Sequence, residues 1–80
     1  MLITGAQLKA ARALAGLSQA DLAERAKVNV TTISAMEARG PEMFRSSFET
    51  VRAVQLVLEA AGVEFLDGDS PGVRLRPQKG

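Results

Sequence analysis

Eighty residues, 46% of them apolar and none of them cysteine or histidine, amount to one small domain near the lower limit for folding on its own core, without disulfides or the usual zinc ligands. No apolar run approaches the ~20 residues of a membrane span and no basic leader precedes one, so the expected setting is the cytoplasm, with no membrane partner and no cofactor. The formal charge of +1 hides a polarity: residues 1–45 are net +2, residues 46–69 net −4 and the last eleven net +3, which suits a module that turns one side toward a polyanion.

Thr4 and Gln7 have capping-box spacing, with Ile3 and Leu8 at the staple positions around them, and they start a first helix. Leu8, Ala11, Leu14 and Ala15 continue it as one apolar stripe. Gly16 is a natural left-handed stop, so this helix is expected at about 5–15. Ser18 caps a second helix at about 19–26, with Asp21 favoured in its first turn by the helix dipole. Leu22, Ala23 and Ala26 face inward. Asn29 is the best cap for a third helix at about 30–38, with Ile33 and Met36 on its buried side and Gly40-Pro41 ending it.

Phe44 is expected to pack in the connection that follows. Ser46 and Glu49 repeat the capping-box spacing and predict a fourth helix at about 47–61, closed by Gly62. Its stripe is Val51, Val54, Val57, Leu58 and Ala61, while Leu56 lies off the stripe as a small separate patch beside Ala53 and Ala60. The period then changes to alternation. Val63 and Phe65 share one strand face and Val73 and Leu75 another, with turn residues between them. Pairing would set Glu64 near Arg74 or Arg76. An isolated hairpin is marginal in water, so it should dock on the fourth helix, on a partner chain, or on both. The expected fold is therefore mainly α: four helices and a short C-terminal β-hairpin, with a helical unit over 1–62, the hairpin over 63–76 and a disordered tail over 77–80.

The second and third helices carry the functional signal. Counted from Gln19, apolar residues fall at the fourth (Leu22), eighth (Ala26), tenth (Val28), fifteenth (Ile33) and eighteenth (Met36) positions, and Ala23 supplies a small residue for a close crossing. That is the spacing of a helix-turn-helix, whose second helix enters the DNA major groove. The stretch LSQADLAERAKVNVTTISAMEARG resembles the xenobiotic-response-element family of regulators, the Cro and lambda-repressor type, and the resemblance covers about residues 5–60.

What the resemblance implies is a role for each position. Gln19 would contact a phosphate and brace the third helix. Asn29 would cap that helix and reach a phosphate. Val30, Thr31, Thr32 and Ala35 would face the bases, and Ser34 would reach backbone or base. Arg39, with Arg45 a further candidate, would grip phosphates after the helix, while Arg12 and Glu37 would form an internal ion pair. Methyl-bearing side chains at these positions can pack on the thymine methyl group.

Three departures stand out. Lys27 occupies a turn position where the family favours glycine, and no Arg, Gln or Asn lies among the base-facing positions of the third helix, which moves specificity toward methyl contacts and DNA shape. The hairpin stands where the family has a fifth helix, which leaves the dimer geometry open. The expected protein is a homodimeric regulator, more often a repressor in this family, on a roughly palindromic site of double-stranded DNA. It would dimerise through Leu56, Val63, Phe65, Val73 and Leu75 and associate with the nucleoid. An antitoxin that represses its own operon and holds a protein partner is the related alternative. A protein-interaction module that has lost DNA binding is the distant one. An enzyme is not expected, because the chain offers no nucleophile–base pair, metal cluster or phosphate-cradling loop.

Overall fold

The computed structural model describes residues 1–42, 44–66 and 72–77. Helix α1 spans Gly5–Ala15, α2 Gln19–Ala26, α3 Val30–Ala38 and α4 Phe48–Ala60, followed by strands β1 (Val63–Leu66) and β2 (Gly72–Leu75). The first three helices have the bounds read from the sequence. The turn between the strands and the tail over 78–80 lie outside the described residues.

Local chemistry sets the helix ends. Thr4 Oγ1 accepts from Gln7 N at 3.1 Å and Gln7 Oε1 accepts from Thr4 N at 3.0 Å, which completes the reciprocal box. Both α1 and α2 end in paired backbone bonds around a left-handed residue, the Schellman arrangement. After α1, Gly16 N donates to Ala13 O and Leu17 N to Arg12 O. The apolar residue after the left-handed one then turns inward: Leu17, which the stripes did not include, is buried.

Helix α4 begins one residue later than the sequence reading had it. The cap is Ser47, whose Oγ accepts from Thr50 N at 3.2 Å, and not Ser46. Two adjacent serines offer two caps, and the second is the one used, with Val51, Val54 and Leu58 on the buried side of the helix it starts. The shift makes Phe48 the first helical residue and leaves it outside.

The core gathers Leu8, Leu22, Ile33, Val54, Leu58 and Val63, each at most 1% exposed, with Leu2 closing it from the segment before α1. Burial of each such side chain is worth roughly 1.5–3 kcal/mol. Leu14 is a correction: it sits at 39% exposure, on the flank of α1. Gly5 permits the closest helix crossing. A Cβ there would stand 2.9 Å from Glu37 O and from Gly40 N, and nearer still to Met36 O, so α1 starts with its backbone against the end of α3.

The strands pair antiparallel with Glu64 opposite Arg74 and Phe65 opposite Val73. Glu64 Oε2 lies 2.7 Å from Arg74 Nε, while Arg76 instead donates to Glu59 O at the end of α4, 2.6 Å away. The hairpin docks on α4 and also on α1, where Gln7 Nε2 donates to Gly72 O at 3.4 Å. Val63, expected at a dimer face, is corrected by this docking: its side chain is buried in this chain's own core. Phe65 and Val73 pack half-buried against the same core, and Leu56 and Leu75 remain exposed.

Candidate nucleic-acid interface

A tight turn joins α2 to α3. Lys27 takes a left-handed backbone with φ 60°. Its N–H donates to Glu24 O at 3.2 Å, and Val28 N donates to Ala23 O at 3.0 Å. Val28 then packs on the core, which is the contact such a helix ending favours. Asn29 has the extended backbone of a cap, but its side chain makes no capping bond, contrary to expectation. The helix start is carried by its backbone carbonyl, which accepts from Thr32 N at 3.0 Å.

Helix α3 turns Ile33 and Met36 inward and presents Val30, Thr31, Ser34 and Ala35 to solvent, with Thr32 half-buried on the flank. Ala38 shares the outer face and was missed by sequence reasoning. The i, i+4, i+7 spacing from Thr31 through Ala35 to Ala38 could have found it. This face carries no charged side chain. It is made of methyl and hydroxyl groups, the surface that can approach base edges without leaving an ion desolvated.

The one ionised side chain of α3, Glu37, is turned into the protein. Its carboxylate receives Arg12 Nε at 2.7 Å and Arg12 NH2 at 3.2 Å, a two-pronged pair of the kind that fixes orientation. Gln19 Nε2 donates to the same carboxylate at 3.2 Å, and Arg12 NH1 donates to Leu17 O at 3.0 Å. Three helices thus meet at one carboxylate whose side chain is only 7% exposed. Hydrogen bonding to Glu37 holds the Arg12 guanidinium above its ordinary pKa, against the opposing effect of burial. In the described arrangement, the Gln19 amide is directed at α3.

Cations flank the neutral face. Lys27 is exposed before α3. After it, a concavity of 240 Å³ is lined by Ala35, Met36, Arg39, Arg45 and Ser46. Arg39 is half-buried and lies 2.9 Å from Glu42, an exposed partner that a phosphate could replace. Ser46 was not anticipated here, since it had been read as a cap.

At the start of α2, Ser18 and Asp21 form a full capping box: Ser18 Oγ accepts from Asp21 N at 3.0 Å, and Asp21 Oδ2 from Ser18 N at 3.3 Å. The Ser18 backbone N–H, followed by its hydroxyl, draws the Asp21 carboxyl below its ordinary 3.8. Among the described residues, no cluster of acidic, cysteine or histidine side chains could hold a metal ion, and no helix is long and apolar enough to cross a membrane.

A family model described as a helix-turn-helix domain matches residues 4–64, from the Thr4 cap into the first strand. A search of curated proteins gave no match to the chain.

Proposed function

The chain belongs to the helix-turn-helix domain family, a family of DNA-binding regulators, and from that premise we propose that it is a sequence-specific transcriptional repressor of the Cro and lambda-repressor type. The observation that carries this reading is the uncharged outer face of α3 set between Lys27 and the Arg39–Arg45 concavity. Such a helix lies in the major groove with methyl groups of Val30, Thr31 and Ala35 on thymine methyls and the Thr32 and Ser34 hydroxyls within reach of bases or sugar-phosphate. The starts of α2 and α3, with Gln19 and Asn29, face phosphates, which unpaired backbone N–H groups and the helix dipole attract. Arg39 and Arg45 take phosphates on the far side.

The protein acts as a homodimer on a roughly palindromic operator, its two α3 helices about 34 Å apart, in the cytoplasm with the nucleoid. Residues 1–62 form the DNA-binding part and the hairpin, residues 63–76, supports assembly. Its work is binding, not catalysis. A second reading, an antitoxin that represses its own operon and holds a toxin, is favoured by one observation: Phe48, Leu56 and Leu75 are all exposed on the C-terminal half. A toxin-like reading frame beside the gene separates the two.

The test is Thr31→Glu, assayed by gel shift on a site selected from random DNA. A carboxylate facing bases and phosphates removes operator binding while the helical circular dichroism stays unchanged. Unaltered affinity would take α3 out of the reading role.

A further inference from the structure

We propose that a second copy of this chain docks on the side of α4 that carries Phe48, Arg52, Leu56 and Glu59, the two helices running antiparallel about a two-fold axis. This deepens the dimeric regulator reading by assigning its interface. Phe48 is the most exposed large apolar side chain among the described residues, at 61%. It stands between two concavities, one of 390 Å³ toward Ile3 and Phe44 and one of 400 Å³ toward Gln55, Glu59 and Phe65. All three phenylalanines of the chain therefore border one surface.

Charge selects the occupant. Arg52 and Glu59 are seven residues apart, so they lie on one side of α4 about 10 Å from each other along its axis. Among the described residues neither has an oppositely charged partner, and the Glu59 carboxylate is steadied by Gln55 Nε2 at 3.4 Å. An antiparallel copy centred between Gln55 and Leu56 brings Arg52 opposite Glu59 of the second copy, and the axis repeats the pair. Leu56 then meets its own symmetry mate. Phe48 falls past Glu59 of the second copy, level with Val63, where a concavity of 490 Å³ is bordered by Glu59, Val63, Glu64, Phe65 and Arg76.

A two-fold interface requires a patch that is its own complement, and this one holds the knob, the hollow, the acid and the base together. DNA does not suit this patch, because Arg52 is the single cation of α4 and the same helix carries Glu49 and Glu59. Leu56 was expected at a dimer contact from the sequence; Phe48, Arg52 and Glu59 were not.

Sedimentation equilibrium on the full 80-residue chain without DNA tests the proposal. The unaltered protein should dimerise, and Phe48→Glu should weaken the dimer by about 30-fold or more, the size expected when an aromatic anchor seated in a hollow is replaced by a charge. Arg52→Glu and Glu59→Arg should each weaken it by roughly tenfold, since every substitution acts twice. The combined R52E/E59R chain should return to within about threefold of the original, because both pairs re-form in reverse. Phe48 and Arg52 are exposed and Glu59 is half-buried, and circular dichroism verifies that each variant folds.

A monomer at about 100 μM, a dimer indifferent to Phe48→Glu, or a double swap as weak as the weaker single one would each overturn the assignment. The DNA reading is judged separately. Half-site binding by a monomeric F48E chain would leave it standing, and a dimer that ignores DNA would end it without touching this interface.

Discussion

Lys27 holds a left-handed backbone that a side chain bearing a Cβ adopts at a cost of about 1 kcal/mol. Nothing else in the turn needs its side chain, which is exposed. Lys27→Gly should therefore raise stability by roughly 0.5–1 kcal/mol, the relief of strain exceeding the added freedom of the unfolded chain. Thermal melting should show a rise of a few degrees; a fall would mean that the ammonium stabilises the fold in some other way. Asp21 makes a different prediction. Its folded pKa lies below the unfolded one, so its contribution is in full above 3.8 and drains away as pH falls through the folded value. The melting difference between the wild type and Asp21→Asn should be present at pH 7 and close as the pH is carried well below 3.8. A difference independent of pH would assign the effect to packing. At this scale the caps were legible where one residue could serve, as at Thr4 and Ser18. Serines 46 and 47 competed for one helix start, and at Asn29 the backbone does what the side chain was expected to do.

Helix crossings depend on partners distant in the chain, and that is where sequence reading thinned out. Ala23 was recognised as the small residue of the α2–α3 crossing because the two helices are neighbours in sequence. Gly5 plays the same part between α1 and α3, but its partners at Met36, Glu37 and Gly40 are thirty or more residues away and leave no local period. Gly5→Ala should destabilise the fold by about 3 kcal/mol, since the obstruction is backbone and cannot swing aside. Urea unfolding measures it, and a loss under about 0.5 kcal/mol would show that the crossing relaxes. Leu17 escaped for a similar reason: its burial follows from the way α1 ends, not from the stripe inside it. The two strands were readable from alternation, and charge narrowed the partner of Glu64 to Arg74 or Arg76; the register and the choice of Arg74 came from the structure. Its seat on α1 was not, because it is made through Gln7, a residue already occupied as a cap.

The whole molecule divides by charge as the sequence did. The uncharged outer face of α3, with cations at its rims, lies in the N-terminal part, and α4 carries two carboxylates against one cation. Arg39→Ala should weaken binding to every DNA sequence alike and lower the slope of log affinity against log salt by about one, the mark of a single lost phosphate contact. Loss on one sequence only would make Arg39 a base reader. The candidate site was legible as a face because helical periodicity fixes which α3 residues point outward. The wall formed by Arg45 and Ser46 was legible only in part, because it depends on how the loop after α3 folds back, with Phe44 N donating to Ile3 O and Ala6 N to Gly40 O. The Gln7 amide reaches beyond its own helix. It grips Gly72 while closing the first turn of α1, and that turn presses through Gly5 on the last turn of α3. The hairpin and α3 are thereby joined through a single amide and one close backbone contact, so whatever lifts the former would loosen the footing of the latter.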